Sequence, residues 1–357
     1  MRQLEYTLRF LTPAFLGNAT QDAQWRTPPI KHLLREWWRV AYAAEHKFLV
    51  DVAEMRHEEG MLFGHAWLDD DTFERNGKTI KTAARKSALR MRLSSWADGK
   101  LKAWPASDTA VTHPEVQRPV GAQLYLGYGP LKFAKGTALK SNAAIQSGES
   151  ATLSLAVSDD HWPRIEHALF LMSRYGTLGG RSRNGWGSFS LAPLGNTPTL
   201  AGAAPLRNWR ECFDHDWPHV IGQDDGGPLI WQTAPHDDWV SLMKTLAIIK
   251  IGLRTQFIFN TGKNAASAED RHWLSYPVTN HSVKPWGNKV RLPNSLRFKV
   301  RPAPDDPRKV VGVIFHVPCL PPASFLPDRQ AIKEVWKKVH DFLDGDATTA
   351  PLSRSRA

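Results

Sequence analysis

The sequence predicts an α+β protein built of two units in tandem, the second of them incomplete. Alternating strand patterns and amphipathic helical patterns follow one another in two sets, and a stretch without periodicity separates the sets. A chain of 357 residues is long enough for two domains with their own cores. We therefore predict a domain at 1–194, a linker at 195–238, a domain at 239–345 and a disordered tail at 346–357.

The chain opens with a strand followed by a helix. Leu4, Tyr6, Leu8 and Phe10 alternate with polar residues, which is typical of a strand with one buried face. Two prolines then precede the run IKHLLREWWRVAYAAEHK, where proline is typical of the first helical turn. This helix should bury one stripe of apolar side chains, namely Ile30, Leu33, Leu34, Trp37 and Ala41.

The remaining elements of the first unit follow the same logic. The runs KSALRMRL and ATLSLAV alternate as strands, WPRIEHALFLMSRYG is helical, and residues 186–191 form a closing strand, while residues 96–148 are loop-rich. Strand, helix, strand, strand, helix, strand is the ferredoxin-like order, which RRM domains share. The third strand lacks the aromatic RNP1 pattern, so any nucleic acid should bind to loops and helix ends rather than stack on the sheet.

Between the second helix and the closing strand lies the stretch RYGTLGGRSRNGWGSF, residues 174–189. It holds five glycines, three arginines and one tryptophan. Glycine lets a backbone lie close to a ligand, arginine presents a planar fork of donors to phosphate oxygens, and tryptophan offers a face to a base. The alternative is a connecting turn with solvated arginines. Because the stretch lacks a Walker ending and GxGxxG spacing, a nucleic-acid backbone is a better candidate ligand than a nucleotide.

The helix after the first strand carries a second basic feature. Lys31, Arg35 and Arg39 stand four residues apart on one face, and Lys31 falls in the first turn, where free amide groups favour anions. The alternative for this row is a solvated helix face. Overall the chain has 46 Lys+Arg against 35 Asp+Glu, a formal charge of +11 and a pI near 9.7, which suggests nucleic acid once the cations are clustered.

In the second half the run TLAIIKIGLRTQFIF suggests a strand, with Ile249, Ile251 and Leu253 facing a core. The runs SLRFKVRP and VVGVIFHV suggest two more strands, and RQAIKEVWKKVHDFL a helix. No glycine loop follows this helix. We therefore expect the second unit to serve in docking.

The two cysteines form no metal pattern or disulfide framework, which indicates a reducing cytoplasm. The N-terminal residues lack a secretory apolar region, and no apolar run is long enough to cross a bilayer. We expect a cytoplasmic protein without a membrane partner. Nothing in the sequence indicates a cofactor or a metal.

Three motifs in one order carry a resemblance to a known family. The segment TPAFLGNATQDAQWRTPPIKHLLREWWR, then LFG at residues 62–64, then GGRSRNGWGSF resemble the RAMP superfamily of CRISPR effector proteins, most closely the first RAMP subunit of the Cmr, or type III-B, complex. The family's FLGG loop is FLGN here, and its glycine after the helix lysine is His32. The resemblance implies two RAMP units in tandem.

The resemblance also implies partners and a site. The partners would be guide RNA, target RNA and other RAMP subunits. Combined with the residues themselves, it predicts that RNA is contacted by Arg26, Lys31, His32, Arg35, Arg39, Arg174, Gly179, Gly180, Arg181, Ser182, Arg183, Asn184 and Trp186.

Catalysis is not expected from this chain. Asp22 is the one loop carboxylate to consider as a catalytic residue, because RAMP subunits that cut target RNA use a loop aspartate. The resemblance, however, points to a subunit that binds RNA without cutting it. Two alternatives stay open. One is a metal-independent endoribonuclease that processes guide precursors with His32, and the other is a structural adaptor whose basic face packs on acidic proteins.

Overall fold

The structure, a computed structural model, describes residues 1–66, 68, 70–105, 108–287, 289–345 and 352–354. The helices are α1 (Thr27–Glu45), α2 (Val52–Phe63), α3 (Ala122–Gly127), α4 (Trp162–Tyr175), α5 (Trp239–Thr255) and α6 (Arg329–Asp344). The strands are β1 (Arg2–Phe10), β2 (His65–Ala66), β3 (Thr72–Arg75), β4 (Lys78–Lys81), β5 (Ala84–Arg85), β6 (Arg90–Leu93), β7 (Ala110–Val111), β8 (Val120–Gly121), β9 (Leu131–Phe133), β10 (Thr137–Leu139), β11 (Ser150–Val157), β12 (Phe189–Pro193), β13 (Leu206–Asn208), β14 (Ile221–Asp224), β15 (Gly227–Pro228), β16 (Ile230–Gln232), β17 (Leu296–Pro302), β18 (Val310–His316) and β19 (Ser353–Arg354).

The first sheet contains four antiparallel strands in the order β12-β1-β11-β6. The strand β1 is central, with Leu4 opposite Leu155 and Leu8 opposite Leu191. Its alternating residues are buried as the sequence predicts, because one face of the sheet packs against helices. The helices α1 and α4 cover this face and contact each other. The mixed α/β class with antiparallel sheets is thus confirmed.

The helix α1 buries the predicted stripe and more. Besides Ile30, Leu33, Leu34, Trp37 and Ala41, it buries Trp38, Val40, Tyr42 and Ala43. Trp38 packs against Tyr42 at 5.3 Å between ring centroids and edge-on against Phe63 at 5.9 Å. The second apolar side exists because α2 packs against α1 opposite the sheet.

The second sheet contains β17-β18-β16-β19 in that order, also antiparallel. The strand of this sheet that comes first in the chain, β16, lies inside the stretch 195–238, which the sequence predicts as a linker. Its last, β19, pairs Ser353 with Gln232 and Arg354 with Trp231, inside the stretch predicted as a disordered tail. The rest of that tail, residues 346–351 and 355–357, lies outside the described residues.

The strand predicted within TLAIIKIGLRTQFIF is wrong, because residues 239–255 form α5. The apolar residues of this run fit the two-residue period of a strand as well as the 3.6-residue period of a helix. Ile249, Ile251 and Leu253 are buried, but so are Leu242, Met243, Leu246 and Ala247, so the helix is covered on several sides. A nearly continuous apolar run gives no helical period, and such runs cannot be assigned from alternation alone. Asp238 caps the helix by accepting from the Ser241 N–H.

The loop-rich stretch 96–148 folds into small elements. It contains α3, the two-stranded pairs β7-β8 and β10-β9, and connecting turns. The helix α3 packs on α5, so this stretch joins the second unit rather than standing apart.

The two units share a continuous core at their junction. Phe315, Val313 and Val317 of the second unit belong to the same buried cluster as Trp37 and Tyr175 of the first. Trp37 and Tyr175 lie 6.5 Å and 5.1 Å from the Phe315 ring centroid. No helix within the described ranges is long and apolar enough to cross a membrane.

Candidate functional site

The glycine-rich stretch 174–189 lies at this junction, and much of it packs against its own chain. Gly187 has φ +64°, and a Cβ there would lie 1.8 Å from the Leu178 carbonyl oxygen. Gly179 has φ +93°, and a Cβ there would lie 2.6 Å from the Phe15 carbonyl oxygen. Glycine is therefore required at both positions by backbone conformation and internal packing, whether or not a ligand binds.

Hydroxyl groups hold the turn from the inside. The Thr12 and Ser188 hydroxyls each donate to the Gly185 carbonyl at 2.8 Å, and the Ser188 N–H donates to Thr12 Oγ1 at 3.0 Å. The Val300 N–H of β17 donates to Ser188 Oγ at 2.8 Å. This buried network fixes the C-terminal half of the stretch to both units.

Two lysines of the second unit, the buried Lys299 and the half-buried Lys250, also bind the stretch. Lys299 Nζ donates to the carbonyls of Gly176 and Phe189, at the two ends of the turn, the latter at 2.8 Å. Lys250 Nζ donates to Asn184 Oδ1, and Asn184 Nδ2 donates to the Leu126 carbonyl. Burial lowers the pKa of both lysines well below its usual value.

Trp186 is part of this interior, which corrects the prediction that its face receives a base. It is fully buried, with ring centroids 5.5 Å from Phe15, 5.4 Å from Trp104 and 5.8 Å from Trp239. A base could reach it only if the aromatic cluster opened. Asn184, also predicted as a contact, is buried and engaged by Lys250 and Leu126.

The opposite edge of the stretch faces solvent. Arg174, Gly179 and Arg181 are exposed, and Gly180, Ser182 and Arg183 are half-buried. Arg181 adopts φ +56°, and its Nε donates to the Tyr128 carbonyl at 2.5 Å. The side chain of Arg174 makes no hydrogen bond or ion pair with any described residue. We define these six residues as the outer edge of the glycine loop.

Arg183 differs from its neighbours because it is half-buried without a partner. Among the described residues its guanidinium has no hydrogen bond and no carboxylate at salt-bridge distance. Burial, followed by repulsion from Arg297, lowers the pKa of Arg183 to about 10. Glu36 is the nearby group that opposes this shift. The side chain thus remains a cation whose charge the protein leaves largely uncompensated.

Arg297 extends this cationic region to a small cavity. The cavity has a volume of about 60 Å³ and is lined by Glu36, Trp37, Arg39, Val40, Trp217, Pro218, Arg297 and Val317. Arg297 lies over the Trp37 ring at 5.9 Å, and its buried Nε has no hydrogen-bond partner. The glycine loop and α1 therefore meet here through Arg183, Arg297 and Arg39.

The basic residues Lys31, Arg35 and Arg39 of α1 are neither free to bind phosphate nor merely solvated. Lys31 Nζ donates to the Phe63 carbonyl at 2.7 Å, at the end of α2. Arg35 and Arg39 both form ion pairs with Glu59, which is buried. Burial opposes the ionisation of Glu59, but hydrogen bonds from Arg39 and Arg35 lower its pKa. Two cations on one carboxylate leave a net positive charge at this surface.

The remaining predicted residues lie around the start of α1. Arg26 is half-buried at the N-cap position, and its buried Nε has no hydrogen-bond partner in the structure. His32 is exposed, with Nε2 3.6 Å from Glu36. Asp22 accepts hydrogen bonds from the N–H and the side chain of Asn142 and from Thr20, and these hydrogen bonds, the Asn142 N–H first, lower its pKa.

Sequence reasoning missed the cations of β17. Arg297, Lys299 and Arg301 alternate with buried apolar residues, and they face the first unit instead of solvent. Arg301 is buried, and desolvation together with Arg174 lowers its pKa to about 10. The signal was present as three cations at two-residue spacing in SLRFKVRP, but alternation alone does not tell which face meets another domain.

Comparisons with known proteins give a family and two structural likenesses. The family model of the RAMP superfamily matches residues 7–190, which is more than half of the chain. No curated protein matches the sequence. The crystal structure of Cmr1 from Pyrococcus furiosus in its apo form is similar, with 13% identity, 88% of each chain covered and a TM-score of 0.42. A chain of a type IV-B CRISPR complex is similar over 57% of this chain and 94% of its own, with 14% identity and a TM-score of 0.29.

Proposed function

The chain belongs to the RAMP superfamily, and we propose that it is an RNA-binding subunit of a CRISPR RNA-guided effector complex of the Cmr, or type III-B, kind. The superfamily motifs of the first unit and the formal charge of +11 support this proposal. Its expected setting is the cytoplasm, in a ribonucleoprotein of antiviral defence. Its expected partners are guide RNA, target RNA and neighbouring RAMP subunits, without a membrane.

The observation that carries the proposal is the half-buried, unpartnered guanidinium of Arg183 beside Arg297. Placing one buried cation next to another costs free energy, and a protein that needed only packing could use an apolar side chain there. A phosphate oxygen at this point would offset the repulsion and supply acceptors that suit the guanidinium fork. The outer edge of the glycine loop therefore provides what an RNA backbone needs.

The proposed mechanism is electrostatic and geometric. Arg183 and Arg181 on the loop, with Arg39 and Arg35 on α1, would hold successive phosphates. The missing side chains of Gly179 and Gly180 would let the RNA backbone approach closely. Base identity would be read by pairing between guide and target, so this chain needs no base discrimination. The register we propose is at the 3′ end of the guide, where a neighbouring RAMP subunit docks.

We also propose that the two sheets are two ferredoxin-like units in tandem. In each set the strand, helix, strand, strand, helix, strand sequence gives a sheet with its fourth strand beside its first and its third beside its second. The units are β1 to β12 with α1 and α4, and β16 to β19 with α5 and α6. The fourth strand of the second unit is only the two residues Ser353–Arg354.

Fluorescence anisotropy of the full chain tests the RNA-binding proposal. The chain is titrated into labelled single-stranded RNA and into duplex DNA of matched length across a salt series. We expect preference for RNA and a steep salt dependence, since each neutralised phosphate releases counterions. Changing Arg181 and Arg183 together to alanine should lower affinity for all RNA sequences alike and reduce the salt slope by roughly two phosphate contacts.

The control is Arg329→Ala, which removes one positive charge from an exposed position at the start of α6 and matches in charge each of the single variants Arg181→Ala and Arg183→Ala. It should leave affinity and slope within error of the unchanged chain. If the double variant behaves like this control, the loop is not the RNA site. If neither nucleic acid binds at low salt, the basic surface serves protein neighbours and the adaptor function replaces the proposal.

We further propose that the chain does not cut RNA. The carboxylate of Asp22 accepts hydrogen bonds from Asn142 and Thr20, so it is held as a loop anchor rather than directed at a substrate. Incubating repeat RNA with the chain in EDTA should leave the RNA intact. Cleavage that disappears in the variant His32→Ala would replace the proposal with the metal-independent nuclease.

A further inference from the structure

A second cluster of ionisable side chains lies away from the glycine loop, in the connection between β13 and β14. This connection reads CFDHDWPHV and brings Asp214, His215 and His219 together. One potential ligand atom from each of these three residues lies within 4.8 Å of the other two. Two imidazoles and one carboxylate are a donor set that divalent zinc and similar ions take.

His219 is the most informative member of the cluster. It is fully buried, and its Nδ1–H donates to the Trp217 carbonyl at 2.9 Å. This bond leaves the lone pair on Nε2. That atom is buried, has no hydrogen-bond partner among the described residues and lies 4.0 Å from Asp214 Oδ1. Buried polar atoms normally have partners, and a cation between this acceptor and the carboxylate would be a partner for both.

His215 is held in the same manner by a different part of the chain. Its Nε2–H donates to the Phe48 carbonyl at 3.1 Å, so the lone pair of the neutral ring is on Nδ1. Its ring centroid lies 4.7 Å from that of His219. Histidines that bind metals typically donate their second ring N–H to a carbonyl, which fixes the tautomer and the ring orientation. Both histidines here have that support.

Asp214 completes the set and is itself oriented. Arg207 Nη1 donates to Oδ1 at 3.0 Å, and Arg207 Nη2 lies at an ion-pair distance of 2.8 Å from Oδ2. Each carboxylate oxygen has a second lone pair, so these bonds leave room for a metal and hold the group in place.

An open cavity gives access to the cluster. It has a volume of about 570 Å³, and Asp214, His215, Asp216 and Trp217 line one side of it. On the other side are Leu320, Pro321 and Ala323 of the second unit. A metal held by three protein ligands keeps one position for water, and the cavity supplies the space for it.

We propose that Asp214, His215 and His219 bind a divalent transition-metal ion of the zinc class. The site joins three parts of the chain, because His215 contacts Phe48 of the first unit and its carbonyl accepts from the Leu320 N–H of the second. A bound ion would therefore stabilise the junction of the two units. Magnesium and calcium are excluded as the preferred ions, since they favour oxygen ligands.

Calorimetric titration of zinc chloride into the full chain, stripped with EDTA and dialysed near neutral pH, tests the site. We expect one ion per chain and a melting temperature that rises with zinc concentration. Cobalt chloride should give the strong visible absorbance of a low-coordinate site. His219→Ala and His215→Ala should each weaken zinc binding by at least about tenfold.

The control is His161→Ala, which removes an exposed histidine outside the cluster and should leave binding unchanged. If zinc does not bind, or if His161→Ala weakens binding as much as His219→Ala, the proposal is wrong. Should His219→Ala fail to fold, Asp214→Asn decides, because its side chain is exposed by 43% and the substitution conserves shape. An unchanged cobalt spectrum and zinc affinity in Asp214→Asn would overturn the site.

Discussion

The two sides of the glycine loop differ in burial and in hydrogen bonding. The inner side, with Asn184, Trp186 and Ser188, is buried and bound by lysines and hydroxyls of the surrounding elements. The outer edge is accessible, and the guanidinium groups of Arg174 and Arg183 have no hydrogen-bond or ion-pair partner among the residues that the structure describes.

Residues that are neighbours in the sequence of this loop therefore have different roles. The glycines and the tryptophan are there because a tight turn must pack at the junction of two units. Of the three arginines, Arg181 donates to the Tyr128 carbonyl, whereas the side chains of Arg174 and Arg183 have no hydrogen-bond or ion-pair partner among the described residues. We therefore propose that the motif combines a structural half with a binding half. Substitutions on the two sides should separate stability from affinity.

The largest effect is expected from Trp186→Ala. Removing a fully buried tryptophan from an aromatic cluster should lower the free energy of unfolding by about 3–5 kcal/mol. Denaturant unfolding measures this loss. The companion Trp186→Phe retains much of the apolar volume and should bind RNA as the unchanged chain does. A tenfold loss of RNA affinity in a folded Trp186→Phe would mean that the ring does stack on a base, and the division into two sides would fail.

Lys299→Met should have the next largest effect. It keeps the length of the side chain but removes the donors to the Gly176 and Phe189 carbonyls, and each buried carbonyl left without a partner costs about 1–3 kcal/mol. We expect a net loss of about 2–4 kcal/mol, since the burial of an amine is relieved at the same time. Thermal unfolding checks this, and unchanged stability would show that the lysine is not what holds the loop ends.

Acidification should lower the stability of the fold without removing the positive charge of the glycine loop. Burial lowers the pKa of His316 well below its usual value and that of His340 to about 3. The unfolded chain therefore binds more protons below pH 6.5, and stability falls as pH decreases from there towards the folded values. Arg183, whose pKa is lowered only to about 10, stays charged over this range, so acid should not weaken RNA binding by the folded chain through this side chain.

Urea unfolding at a series of pH values measures this dependence, with His340→Gln as the comparison. Glutamine does not titrate but can still donate to His316 Nδ1, which His340 Nε2 contacts at 3.0 Å. The variant should lose less stability on acidification. An identical slope would assign the acid sensitivity to other groups.

The smallest effects distinguish residues within the outer edge. Arg183→Ala should weaken RNA binding by about tenfold, or about 1.4 kcal/mol, with no loss of thermal stability, because it removes an unpartnered cation. Arg181→Ala should cost only about two- to threefold, since Arg181 already donates to Tyr128 and is more exposed. Anisotropy at fixed salt compares the two. If Arg181→Ala weakens RNA binding more than Arg183→Ala does, the RNA backbone passes beside Tyr128.

Much of the architecture was readable from the sequence because it depends on local periodicity. The strands β1, β6 and β11 and the helices α1, α4 and α6 were predicted from alternation or from apolar stripes. The strand assigned to residues 245–259 failed where apolar residues lacked a single period. The cations of the site were visible as residue types, but their partners were not.

By itself the sequence determined the antiparallel α/β class, the superfamily motifs, the excess of positive charge and the arginines of the glycine loop. Only the tertiary structure decided that Trp186 lies inside, that Glu59 pairs with both Arg35 and Arg39, that Arg297 lies beside Arg183, and that His215 meets His219 next to Asp214. The physical reason is that charge and hydropathy are properties of each residue, whereas burial and pairing depend on which distant elements pack together, and no local period encodes that.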